Sequence, residues 1–134
     1  MNFVLDTNVV SETRKPRPYS GLLDWLAAQD PSRLFITTVT LAEVWHGFYA
    51  LKPEHPDHRQ IQGFATALSQ NYRVLNFDRR AAVAWGDMTA QTTGPLPLRD
   101  SFIAAIANSR GYRLVTRDAE AFERMGCKVL NPWR

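Results

Sequence analysis

Four carboxylates are spaced so that a layered chain of strands and helices can gather them: Asp6, Glu43, Asp100 and Asp118. Asp6 follows the short apolar run Asn2–Leu5, and Asp118 follows Leu114-Val115-Thr116, both strand-like segments. Asp100 opens an alanine-rich apolar segment, and Glu43 lies early in a stretch of helical period. Between Asp100 and Asp118 there is room for one helix, a turn and a strand, which returns the chain to the same end of a sheet. Carboxylates brought this close repel, and the pKa of one or more of them rises. A hard divalent cation removes the repulsion, and oxygen-only ligands select Mg²⁺ or Mn²⁺ over zinc. Such an ion lowers the pKa of a bound water and neutralises charge building on a phosphate. That is phosphodiester hydrolysis without a nucleophilic side chain.

A plainer reading competes for each residue. Asp6, Asp100 and Asp118 all stand at expected helix starts, where aspartate is a favoured N-cap. Glu43 points roughly 160–200° away from the stripe of Leu41, Val44, Trp45 and Phe48, so helical period alone turns it to solvent.

The elements that must carry these residues alternate. Strands are expected at Asn2–Leu5, Leu34–Thr37, Arg73–Leu75, Tyr112–Thr116 and Lys128–Leu130. Helices are expected from Ser20 to near Asp30, over Thr38–Leu51, from about Asp57 to Ser69, and over Asp78–Thr89, Asp100–Asn108 and Asp118–Arg124. Gly111 ends the Asp100 helix, and Gly94-Pro95-Leu96-Pro97 is a loop. This alternation implies an α/β layer fold with a mainly parallel five-stranded sheet flanked by helices. Ligands of such sheets bind beyond the carboxyl ends of the strands, where strand order reverses. If the first and fourth strands are neighbours, Asp6, Asp100 and Asp118 share one mouth.

At 134 residues, with 45% hydrophobic and 22% charged side chains, the chain reads as one globular domain over residues 1–134. No apolar run approaches the ~20 residues of a membrane-spanning helix. The N-terminus shows no basic leader, and the single Cys127 excludes an internal disulfide, so a cytoplasmic location is expected. The net charge is +3, and thirteen of the sixteen basic residues are arginine, whose planar fork suits phosphate. That balance permits a polyanionic partner without requiring one.

Arg14, Lys15 and Arg17 form a basic, proline-punctuated loop able to hold RNA phosphates or simply to be solvated. Arg99 and Arg117, each beside an aspartate, can bind phosphate or pair with a carboxylate. His46, His55 and His58 lack the second ligand pair of a zinc site. Cys127 reads as a small buried hydrophobe, and the four tryptophans as core or interface residues. No nucleophile elbow, P-loop or dinucleotide glycine fingerprint is present.

Five segments together resemble a known family. Val4-Leu5-Asp6-Thr7-Asn8-Val9-Val10-Ser11-Glu12 is similar to the opening of a PIN domain, and Thr40-Leu41-Ala42-Glu43-Val44-Trp45-His46-Gly47 to its second motif. Asp100–Ala107 resembles the third and Leu114–Asp118 the fourth. Val129-Leu130-Asn131-Pro132-Trp133 resembles the ending common among VapC toxins and their FitB-like relatives. The resemblance spans the chain in order. It implies a PIN-like three-layer fold and a Mg²⁺-dependent endoribonuclease, the toxin of a type II toxin–antitoxin pair, with Mn²⁺ a substitute ion. Asp6 and Asp100 would be the principal metal ligands, with Glu43 and Asp118 completing the acidic pocket, some through water. Asn8 and Thr116 would orient waters or carboxylates. The resemblance also turns Glu43 from solvent to the site. Many relatives carry Asn at the position of Asp118 and an Asp three residues later, where this chain has Ala121; Glu120 is the alternative fourth carboxylate.

The partners implied are an RNA substrate, a cognate antitoxin protein, a second copy in a homodimer, and operator DNA reached only through the antitoxin. Two other readings stand beside this one. A haloacid-dehalogenase-like phosphatase needs a second aspartate where Asn8 sits. The other is a non-catalytic RNA- or protein-binding module; a pure RNA binder gains nothing from clustered negative charge.

Overall fold

The computed structural model describes residues 1–134. The elements run β1 (Phe3–Leu5), α1 (Thr7–Thr13), α2 (Ser20–Ala27), a 3₁₀ turn (Pro31–Arg33), β2 (Leu34–Thr37), α3 (Thr38–Ala50), α4 (His58–Asn71), β3 (Arg73–Leu75), α5 (Arg79–Gln91), α6 (Leu98–Arg110), β4 (Arg113–Val115), α7 (Ala119–Arg124) and β5 (Val129–Leu130). No helix is long and apolar enough to cross a membrane.

The five strands form one sheet in the order β3-β2-β1-β4-β5, and every pairing is parallel. A parallel sheet covered on both faces needs strands apolar on both sides. That is why Phe3-Val4-Leu5 is buried throughout. Val4, Phe35 and Leu114 face one layer, packed with Ile103, Ala104 and Phe122 of α6 and α7. Phe3, Leu5, Ile36 and Val115 face the other, against Val9, Leu22 and Leu68 of α1, α2 and α4. The result is the expected three-layer α/β arrangement. Helix α3 belongs to neither layer alone, since Val39 packs on the first cluster and Leu41 and Val44 on the second. It therefore crosses the carboxyl end of the sheet.

Strand order reverses between β1 and β4, so the crevice for a ligand opens at their C-terminal ends. The register pairs Leu5 with Val115, which sets the next residues, Asp6 and Thr116, side by side.

Several helix ends lie two or three residues from the sequence expectation, and two of them have a clear cause. The helix expected to open at Asp100 starts at Leu98, with Pro97 at the N-cap and the Ser101 amide donating to the Pro97 carbonyl at 2.9 Å. Proline has φ preset for this position and no amide to leave unpaired, so the helix nucleates two residues early. Helix α2 stops at Ala27, and Asp30 caps the 3₁₀ turn instead, accepting from the Ser32 amide at 3.0 Å. Gly111 ends α6 as expected, in the left-handed conformation at φ 68° that a side chain would resist.

Candidate functional site

Asp6 is buried at the junction of β1 and α1, with 3% of its surface exposed. Its Oδ1 caps α1 by accepting from the Thr7 amide at 2.7 Å, so the capping role is real. Its second oxygen, Oδ2, accepts from the Thr116 hydroxyl at 2.8 Å. Thr116 in turn accepts from the Asp118 amide at 3.0 Å and from Asn8 Nδ2 at 3.3 Å. A threonine hydroxyl has one donor and two acceptor sites, and all three are used. Asn8 Nδ2 also reaches Asp118 Oδ2 at 3.3 Å, and its oxygen faces the Arg117 amide at 3.5 Å.

The other two aspartates are not caps. Asp100 sits in the first turn of α6, where the helix dipole favours a carboxylate. Asp118 occupies the position before α7 without a side-chain capping bond, and it is exposed.

Glu43 is held on both oxygens. Oε1 accepts from the Thr7 hydroxyl at 3.0 Å, and Oε2 lies 3.7 Å from Arg99 Nη1. The Thr7 hydroxyl stands 2.9 Å from that of Thr40, a fully buried residue one helical turn before Glu43. The Glu43 side chain keeps only 23% of its surface exposed, which corrects the solvent-facing orientation that period alone gave. Helical period misleads here because α3 crosses the sheet end, where Thr7 of α1 and Arg99 of α6 reach Glu43, although His46 and Ala50 further along the same side are exposed. Thr7 and Thr40 were missed by the sequence reading. The spacing of Thr40 and Glu43 puts them on one helix face and was the available signal.

The electrostatics tie these groups together. Burial pushes the Asp6 carboxyl up to about 7, and the negative charges of Asp100 and Glu43 add to the rise, against the hydrogen bonds from Thr116 and Thr7. Burial also raises the Asp100 carboxyl, with the charges of Glu43 and Asp118 adding to it and Arg99 opposing. Asp6 thus feels the charges of Asp100 and Glu43, and Asp100 those of Glu43 and Asp118.

This donor set is oxygen-only and over-charged, which fits a hard divalent cation. No three of the chain's His, Cys, Asp and Glu side chains are grouped closely enough to hold one ion between them. An ion here would therefore be held by one or two carboxylates at most, with water at the remaining positions. The histidines do not compete: His55 Nδ1 accepts from the Asp57 amide, and His58 packs on the Phe48 ring. Burial drives the Cys127 thiol up to about 12, so it is not a nucleophile at neutral pH.

The basic candidates divide. Lys15 is tied to the buried Glu12 at 2.9 Å, whereas Arg14 lies 5.9 Å over the Phe64 ring and Arg17 is exposed. Arg99 is the ion-pair partner of Glu43, and Arg117 lies over Trp133 at 5.5 Å. Glu120 is exposed and lines a depression with Asp118, Arg124 and Arg134, on the side of Asp118 away from Glu43.

Comparison with known proteins gives the family of the chain. The pattern of the PIN domain family matches residues 3–127. A plasmid stability protein StbB of Pseudomonas syringae pv. tomato is 34% identical over 97% of this chain and 97% of its own length. The VapC ribonuclease Y4jK of Sinorhizobium fredii is 35% identical over 97% of this chain and 96% of its own. Among solved structures, FitAcB from Neisseria gonorrhoeae superposes with a TM-score of 0.85 at 25% identity, covering 98% of this chain and 99% of that one. With the family pattern running from β1 past α7 and full-length relatives above 30% identity, the chain belongs to the PIN domain family.

Proposed function

We propose that the chain, one PIN domain over residues 1–134, is a metal-dependent endoribonuclease and the toxin of a type II toxin–antitoxin pair. The observation that carries the reading is the gathering of Asp6, Glu43, Asp100 and Asp118 at the β1–β4 switch point, with the carboxyls of Asp6 and Asp100 raised by burial and by neighbouring charge. A site built only to bind RNA would not concentrate negative charge where phosphates must lie. The names of full-length relatives support the same activity.

Asp6 and Asp100 would hold Mg²⁺, with Mn²⁺ a substitute. When bound, the ion supplies an activated water and neutralises charge on the phosphate. The chain's own groups do the rest. Thr116 fixes Asp6, and Asn8 fixes Asp118 through Oδ2, leaving Asp118 Oδ1 without a partner in the chain. That free oxygen orients the attacking water. Glu43, engaged on both oxygens, holds the negative wall of the mouth and keeps Arg99 beside it. A cognate antitoxin protein would cover this face, a homodimer is the expected toxin unit, and operator DNA would be met through the antitoxin. Solved relatives include FitAB bound to a DNA fragment, at 26% identity and a TM-score of 0.81.

The test is cleavage of total cellular RNA by purified protein, wild type against Asp100→Asn, with Mg²⁺, with Mn²⁺ and with EDTA. Discrete fragments that require the metal and vanish in the variant are expected. RNA binding without cleavage by folded, antitoxin-free wild type would return the chain to the binding-module reading.

A further inference from the structure

Past Glu43 the acidic mouth continues into a cavity of about 300 Å³ between α1, α3 and α4. Its walls are apolar: Val44 and Leu51 from α3 and its end, Ile61 and Phe64 from α4. Ser11 and Glu43 bring polar atoms to the same space, and Arg14 and Arg99 bring positive charge. Apolar walls with a few convergent polar groups, at the small end of the usual volume range, describe a pocket for a small organic group.

Gly47 borders this volume at an exposed position of α3. It lines the cavity in the interior of α3, and a Cβ placed on it would meet no atom within 4 Å. Glycine is a poor choice inside a helix, and packing does not demand it here. Gly21 differs, because a Cβ there would come within 2.5 Å of the Tyr19 ring. At position 47 no neighbouring element blocks a side chain, so a larger residue there can reach into the cavity.

We propose that this cavity receives one unpaired nucleobase of the RNA strand being cut, next to the scissile phosphate; the inference rests on the ribonuclease reading above. A base has two apolar faces for the Phe64 and Ile61 walls and a polar edge for Ser11 and Glu43. Arg14, exposed above Phe64, and Arg99, with its side chain 68% exposed, hold the phosphates on either side. The shared wall is Glu43, which lines the cavity and also faces the carboxylate site.

Binding is measured in EDTA, where no cutting occurs, by fluorescence anisotropy of labelled RNA dodecamers. The probes are an all-uridine dodecamer, three carrying one central A, C or G, and an abasic dodecamer of the same length. At least one base-bearing probe should bind wild type about tenfold more tightly than the abasic one, the scale of one stacked base. Gly47→Leu fills the cavity and should erase that preference while leaving abasic binding unchanged. Gly47→Gln repeats the test should the leucine variant fail to fold by circular dichroism. Arg14→Ala should weaken all five probes alike and flatten the salt dependence by about 0.7 in log–log slope. Equal binding of all five probes to wild type, or a preference that survives both Gly47 variants, overturns the inference. So does a partner protein whose binding is lost in the Gly47 variants while the base preference stays. Cleavage of total RNA with Mg²⁺ is run alongside. Cleavage without a base preference removes only the cavity assignment, and a base preference without cleavage supports the cavity and removes the nuclease.

Discussion

Thr116 and Asp6 face each other across the β4–β1 pairing, the hydroxyl of one donating to Oδ2 of the other at 2.8 Å. Both are buried, and the same hydroxyl oxygen also accepts from the Asp118 amide and the Asn8 side chain. One atom therefore joins three of the residues assigned to the site. Thr116→Val keeps the shape and removes every one of these bonds. A buried polar group left without a partner costs about 1–3 kcal/mol, so a loss of that size is expected in urea unfolding of the valine variant. Thr116→Ser should restore most of it. Equal destabilisation by serine and valine would assign Thr116 to packing instead.

The raised carboxyl of Asp6 makes stability depend on pH in an unusual direction. An unfolded Asp6 loses its proton near 3.8, but burial in the folded chain delays that loss to about 7. Between these values the folded state binds more protons, so stability is greatest below the unfolded value and falls as pH rises to the folded one. Asp100 is shifted the same way. Glu12, Asp30 and Asp78 are shifted downward by hydrogen bonds, so their contributions are lost only as pH falls below their unfolded values of 4.5, 3.8 and 3.8, all under pH 5.5. Metal-free protein should therefore be less stable at pH 8 than at pH 5.5, by an amount on the order of a few kcal/mol. Thermal melts in EDTA across that range check it, and Asp6→Asn should flatten the curve. Added Mg²⁺ should recover the loss at pH 8, since it binds the ionised form.

Much of the site was legible in the sequence, for reasons that differ by residue. Asp6 and Asp118 follow apolar runs too short for anything but strands, and a parallel sheet brings strand ends to one edge. Their neighbourhood then needs only β1 and β4 to be adjacent. Glu43 was not legible from period, because α3 packs against both core clusters and a two-sided helix has no single buried stripe. The start of α6 was missed because Leu98 is 61% exposed and Arg99 is charged, so neither announces a helix facing a core. Thr7 and Thr40 carry no composition signal at all; their pairing depends on how α1 and α3 cross.

That crossing gives a third prediction. The Thr7 hydroxyl links Thr40 to Glu43 Oε1 from a half-buried position. Thr7→Val leaves Glu43 with only the exposed Arg99 as a partner, a weak and salt-screened contact. Groups that orient a site's carboxylates typically contribute 10–100-fold, so RNA cleavage should fall by about that factor. Thermal stability should move far less, and Thr7→Ser should recover activity. A valine variant as active as wild type would remove Thr7 from any role in holding Glu43.

The fourth prediction sets function against stability at one residue. Asp100 makes no side-chain hydrogen bond within the chain, and burial and the charges of Glu43 and Asp118 all disfavour its ionised form. A carboxylate kept in such a place without metal strains the fold, as functional groups often do. Asp100→Asn removes the charge and keeps the shape. In EDTA at pH 8 the variant should melt at a higher temperature than wild type, while cleavage is lost. The gain should shrink at pH 5.5, where the neighbouring Asp6 is largely protonated and repels Asp100 less. Addition of Mg²⁺ should stabilise wild type more than the variant, reversing or closing the gap. A variant that melts lower than wild type in EDTA at pH 8 would mean that Asp100 supports the fold, and the excess negative charge assigned to this mouth would not be the reason the residue is there.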